Sequence, residues 1–216
     1  MKYVKQVLIL VTIVTLFLIT TACRSSSAPL STSTIDSATK KWTKQTEQLL
    51  TAAGNQLGVP VQTQPMVHYA QWGASFYIAT AEKLDTASAT DLRNGVDLGV
   101  MYVDSPGQSY PKGYYRLRGL ANVPQPGDVK GSIQVIGGDG KVVSELPATY
   151  SVDSMDAPPS LARKATDISI AALPCGQPQT SLINCFHRTT LRNPTWSVAT
   201  TGLVVPTPPA PPPVLR

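Results

Sequence analysis

Apolar positions in this chain follow two different periods. From Ile35 to Ala53 they recur at helical spacing, as Ile35, Ala38, Trp42, Leu49, Leu50 and Ala53, with polar Gln45 and Thr46 interrupting the stripe. Residues three and four apart share a helix face, so the pattern predicts one amphipathic helix over 35–53. Thr34 or Asp36 can cap its start, and Gly54 suits its end. Past Gly58 the period changes to two, and no second helix of that length is predicted. Short runs rich in β-branched and aromatic residues alternate with turn residues: 75–80 (SFYIAT), 98–103 (LGVMYV) and 113–118 (GYYRLR). The clearest pair is 132–136 (SIQVI) and 141–146 (KVVSEL), joined by Gly137-Gly138-Asp139-Gly140. A glycine-rich connection between alternating runs signals a hairpin.

Further strands are expected at 167–172 and 196–205, and 86–94 reads as a short helix. The run from Leu98 to Val103 is apolar on both faces, which predicts a central strand. About six to eight strands behind one leading helix point to a mainly β (α+β) fold. The architecture expected is an antiparallel β-sandwich or a curled sheet backed by the N-terminal helix.

The ends of the chain read differently from the middle. Residues 24–34 (RSSSAPLSTST) have no apolar period, and their Ser/Thr-rich composition predicts a flexible tether. The last 11 residues, 206–216, hold six of the 19 prolines. Proline lacks an amide hydrogen and fixes φ, so this tail favours polyproline II over a sheet interior. Such a segment suits docking into an aromatic-lined groove of another envelope protein. The domain organisation expected is therefore a leader over 1–22, a tether over 23–34, a single β-rich domain over 35–205 and a tail over 206–216.

The leader carries Lys2 and Lys5, then 13 residues from Val7 to Ile19 interrupted only by Thr12 and Thr15, then small residues before Cys23. A cationic start, a short apolar core and a small-residue cleavage site make a secretory signal peptide. A 13-residue helix spans about 20 Å, short of a hydrocarbon core of about 30 Å. The stretch Ile19-Thr20-Thr21-Ala22-Cys23 resembles the lipobox of bacterial lipoproteins, with Thr20 where Leu is usual. The resemblance implies cleavage before Cys23, diacylation of its thiol and acylation of the new amine with fatty chains such as palmitate. In the sorting scheme of Gram-negative lipoproteins an Asp after the cysteine favours the inner membrane. Arg24 thus implies outer-membrane delivery, with the body facing the periplasm. The resemblance covers residues 1–23 and implies localisation, not activity.

Composition then narrows the function. The chain of 216 residues is 42% hydrophobic and 14% charged, too apolar for a wholly disordered chain. No stretch approaches the roughly 18–20 consecutive apolar residues of a membrane span, which argues against a polytopic membrane protein. Without residues 1–22 it keeps 194 residues, with 16 Lys and Arg against 13 Asp and Glu. A dispersed excess of +3 is no footprint for nucleic acid, which needs a clustered basic face. Cys175 and Cys185, an even pair in an exported protein, predict a disulfide closing 11 residues. A metal site built from them with His187 lacks a fourth ligand nearby, so neither a metal nor another cofactor is expected.

Catalytic motifs are sparse. Ser37-Ala38-Thr39-Lys40 matches the S-x-x-K of penicillin-binding proteins, but no S-D-N or K-T-G accompanies it. Gly138-Asp139-Gly140-Lys141 lacks the spacing of a phosphate loop and reads as a turn. Asp85, Asp91, Asp97 and Asp104 fit no calcium loop and read as turn carboxylates. His68 and His187 lack G-x-S-x-G and H-E-x-x-H contexts, and a general base needs an orienting acid and a nucleophile.

One candidate surface remains. Strand alternation through 110–118 places Lys112, Tyr114, Arg116 and Arg118 on one face, with Tyr115 and Leu117 toward the core. Aromatic and guanidinium groups in a row can stack on sugars or fork onto anions. The expected function is a non-enzymatic, lipid-anchored envelope binding or accessory protein. Its expected partners are the membrane and a glycan, an anionic surface or a neighbouring envelope protein. The alternatives are an envelope hydrolase using His68 or His187, and a structural part of a secretion, conjugation or pilus assembly.

Overall fold

A computed structural model describes residues 32–71, 74–104, 110–157, 166–172 and 187–203. Cys23, Cys175, Cys185 and the tail 206–216 lie outside the described residues. The chain divides into two compact units, Met1–Trp42 and Thr43–Arg216. In the first, residues 32–42 are helical. The account below concerns the second.

Helix α1 runs Thr32–Leu57, starting earlier and ending later than its apolar pattern predicts. Thr46, Leu50 and Ala53 are buried at successive turns, so the polar Thr46 belongs to the packed stripe rather than interrupting it. Gly54 does not end the helix. A Cβ there would lie 2.6 Å from the Val59 carbonyl oxygen and 3.3 Å from the Val61 methyls. Its role is close approach to the start of β1. The helix stops at Gly58, whose φ of +68° is the left-handed conformation that glycine reaches without Cβ strain. Gln64 donates to Glu47 at 3.0 Å, so the helix returns antiparallel to β1.

Nine strands follow: β1 Val61–Gln71, β2 Ala74–Ala81, β3 Val96–Val103, β4 Gly113–Ala121, β5 Gly127–Gly137, β6 Val142–Val152, β7 Asp167–Ala172, β8 His187–Arg192 and β9 Trp196–Thr201. They form one antiparallel sheet in the order β1-β2-β3-β4-β5-β6-β9-β8-β7. The mainly β fold expected from the sequence is therefore what forms, as a curled sheet rather than a sandwich. The predicted hairpin joins β5 to β6, closed by the Gly137 amide donating to the Lys141 carbonyl at 2.9 Å and by Gly140 at φ +79°. Residues 86–94 are not one helix. Two 3-10 turns, Glu82–Thr86 and Ala89–Arg93, connect β2 to β3.

The sheet curls until its two edges lie side by side, β1 against β7. Its inner face is the core, lined by Phe76, Ile78, Met101, Leu117, Ile133 and Val198, all fully buried. Strand β3 lies inside the sheet between β2 and β4, as expected of a central strand, and it is buried on both faces: Val100 pairs directly with Ala79 on the face opposite the core, and both are buried. Tyr150 fills the space above two glycines on neighbouring strands, since a Cβ at Gly119 would lie 2.7 Å from its hydroxyl and one at Gly131 2.8 Å from its ring. Its hydroxyl donates to the Ser132 carbonyl at 2.7 Å. Burial pushes that phenol's pKa well up, so it stays a neutral donor.

The turn between β8 and β9 grips the connection between β2 and β3. Asn193 is buried; its amide nitrogen donates to the Leu84 and Ala87 carbonyls at 3.1 and 2.9 Å. Its oxygen accepts from the backbone amides of Thr195 and Trp196. The indole of Trp196 donates to the same Ala87 carbonyl at 3.1 Å. An unmade buried hydrogen bond costs the desolvation of each abandoned group, about 1–3 kcal/mol. Asn193→Ala should therefore destabilise the protein by more than about 3 kcal/mol. Denaturant unfolding checks this, and a loss under about 1 kcal/mol would show that the clamp is not structural.

Candidate functional site

The β4 surface predicted from the sequence forms as expected in orientation. Tyr115 and Leu117 are buried, while Tyr114, Arg116 and Arg118 lie on the other face. Tyr114 ends a row of four rings on adjacent strands, His68, Tyr77, Tyr102 and Tyr114, which are direct register partners. Their centroids are 4.4, 5.9 and 5.0 Å apart, the first pair stacked. Cross-strand aromatic pairs of this kind stabilise a sheet by a few tenths to about 1 kcal/mol each.

The cations of that surface are committed within the chain. Lys112 pairs with Asp104 at 2.6 Å, and the Arg116 guanidinium forks onto Asp97 at 2.5 and 2.9 Å. Arg118 donates to the Asn94 carbonyl at 2.6 Å. The hydrogen bond from Lys112 holds Asp104 below the usual carboxylate range against the opposing effect of burial, and the Tyr102 hydroxyl adds to it. Asp91 accepts from the amide and hydroxyl of Ser88 and so caps a 3-10 turn. Asp97, Asp104 and Asp91 thus do more than solvate turns, because each completes a local bond. Among the described residues no cluster of three or more His, Cys, Asp or Glu side chains could hold a metal.

His187 sits inside the seam where the edges of the sheet meet. Its Nε2 lies 2.9 Å from the Tyr69 hydroxyl, with the rings 4.6 Å apart. Burial lowers the pKa of His187 and raises that of Tyr69, so both are neutral at pH 7. His68 is exposed and stacked on Tyr77, and partial burial lowers its pKa as well.

A second polar surface lies on the outer face of β6, β9 and β8. Outward residues along β8 are Arg188, Thr190 and Arg192, alternating with buried His187, Thr189 and Leu191. Thr190 pairs with Ala199 and Arg192 with Ser197; these in turn pair with Thr149 and Ser151 of β6. Together they line a groove of about 610 Å³, with Asp153 at one end. A second hollow of about 380 Å³ continues it toward Lys130, sharing Thr149 and Arg188. Lys130 donates to the Thr149 hydroxyl at 3.0 Å and Ser151 donates to Asp128 at 2.6 Å. Within the described residues the side chains of Arg188 and Arg192 make no hydrogen bond or ion pair. Chemically the groove offers two planar guanidinium forks and a field of hydroxyls.

Sequence reasoning passed over this surface, although a signal was there. His-Arg-Thr-Thr-Leu-Arg alternates a cationic or hydroxyl side with a buried side at period two. The comparisons add no guide to it: no family model matches the chain, and neither a curated protein nor a solved structure does.

The buried His187 generates a pH prediction. An unfolded histidine takes up a proton near pH 6.5, whereas the folded ring does so only at lower pH. The unfolded state then binds more protons, so stability falls as pH drops below about 6.5. His68 contributes in the same direction. Urea midpoints measured across this window should fall with acidification, and His187→Gln should flatten the slope. A slope unchanged by His187→Gln would remove His187 from the account.

Proposed function

We propose that this chain is a lipid-anchored cell-envelope binding protein. Fatty chains on Cys23 hold it to a bilayer outside the cytoplasm, the outer membrane facing the periplasm, and the curled sheet carries the binding surface. Each buried CH₂ contributes about 0.8 kcal/mol of membrane affinity, and two or more chains anchor stably where one does not. The observation that carries the binding role is the groove beside β8. Among the described residues its two guanidinium groups stand beside hydroxyls without a side-chain hydrogen bond or ion pair, while Lys112, Arg116 and Arg118 are held by Asp104, Asp97 and the Asn94 carbonyl. A cation already paired within the protein contributes little net attraction for a ligand. The groove is therefore a better binding surface than the β4 face.

The same reading includes a disulfide between Cys175 and Cys185. Ala172 and His187 are direct partners at the ends of β7 and β8, and the two cysteines lie three and two residues along the chain from them. That proximity supports the pairing. The tail 206–216 belongs to the reading as a docking peptide for a neighbouring envelope protein.

Fractionation of cells expressing the full chain tests the anchor. The unaltered protein should partition with membranes and its mature N-terminus should be an acylated Cys23 by mass spectrometry. Cys23→Ser should release it to the soluble fraction. A mature protein starting elsewhere, or an unmodified thiol at residue 23, would overturn the proposal.

A further inference from the structure

We infer that the groove along β8 binds an acidic oligosaccharide, with sugar carboxylates held by Arg188 and Arg192 and sugar hydroxyls held by the side chains between them. The inference deepens the proposed binding role and rests on it.

The placement of the charges sets the ligand's form. Arg188 and Arg192 project from the same face of one strand with Thr190 between them. Four residues of strand separate their Cα atoms by about 13 Å. A ligand engaging both forks therefore carries carboxylates on more than one unit, with neutral polar groups between. Direct pairing lays hydroxyls beside that line: Ser197 next to Arg192, Thr201 next to Arg188, and Ser169 next to Thr190. A guanidinium offers parallel donors matched to a carboxylate, and a serine or threonine hydroxyl can both donate and accept.

The surrounding carboxylates decide against a denser anion. Asp167 pairs in register with Arg192, Asp128 with Ser151, and Asp153 lines the groove. Against Arg188, Arg192 and Lys130 these leave the described residues of this surface near neutrality. A polyphosphate would meet repulsion there, whereas sugar hydroxyls can donate to free carboxylate oxygens. The outward residues of β6, β9 and β8 in the groove are Thr149, Ser151, Ser197, Ala199, Thr190 and the two arginines. Of the apolar residues that also line the groove, Pro194 and Trp196, Trp196 is buried, so among the described residues the strand floor itself is polar.

Isothermal titration of the full lipidated chain in detergent tests this. The probes are a galacturonic-acid tetramer, its carboxyl-reduced neutral counterpart, inorganic phosphate and a hexaglutamate peptide. The tetramer should bind, weaken as salt rises and lose at least tenfold in affinity with Arg188→Ala and again with Arg192→Ala. Lys141→Ala, an exposed cation in the β5–β6 turn, should leave binding unchanged. Near-ultraviolet circular dichroism of the arginine variants, dominated by the buried aromatics, should match the unaltered protein. Equal affinity for the neutral tetramer, full competition by phosphate or tighter binding of hexaglutamate would each overturn the assignment. So would an equal loss with Lys141→Ala. Absence of any tetramer binding by a protein still anchored through Cys23 would sink the ligand class alone, while failure of the anchor is read separately from the mature N-terminus.

Discussion

Asn193 and Trp196 tie the β8–β9 turn to the short segment between β2 and β3, across more than a hundred residues of chain. An antiparallel sheet of nine strands left open would expose two edges and one whole apolar face. This clamp brings the far end of the sheet round so that β1 lies against β7 and the inner face becomes a shared core. The Tyr69–His187 contact lies in the same seam. Both contacts join residues distant in the chain, so they form only once the strands between them have paired. Closure is therefore cooperative with the sheet itself.

Curling also divides the cations into two populations. On the β3–β4 face, Asp97 and Asp104 stand within reach of Arg116 and Lys112, and the charges are spent on holding neighbouring strands in register. On the β8 side the outward neighbours in register are Ser197, Ala199 and Thr201 from β9, with Asp167 of β7 opposite Arg192. The hydroxyls and the methyl group cannot neutralise a guanidinium. Asp167 makes no ion pair with Arg192, and among the described residues neither Arg188 nor Arg192 has an ion-pair partner. Strand alternation is the same on both surfaces, and what differs is which residues sit opposite.

A body tethered as proposed would suit this division of labour. The paired face and the aromatic row from His68 to Tyr114 stabilise the first half of the sheet. The polar groove lies on the second half, where β6, β9 and β8 meet out of sequential order. A surface that joins β6 to the later hairpin β8–β9 depends on the whole fold, and the lipid anchor proposed at Cys23 would confine it near a membrane.

Local periodicity was enough to read much of this protein. It located the leading helix, the β5–β6 hairpin, the interior strand β3 and the inward Tyr115 and Leu117, because each is marked by a local pattern along the chain. It missed β1, where Gln62, Gln64 and Pro65 look unlike a strand; an edge strand with a bulge between Gln62 and Met66 tolerates them. It missed β8, whose outward arginines mask the apolar alternation. The cation pairings, the Asn193 clamp, the His187 seam and the groove were settled by tertiary structure alone. Each depends on which strand lies next to which, and a repeat along one strand carries no information about its neighbour.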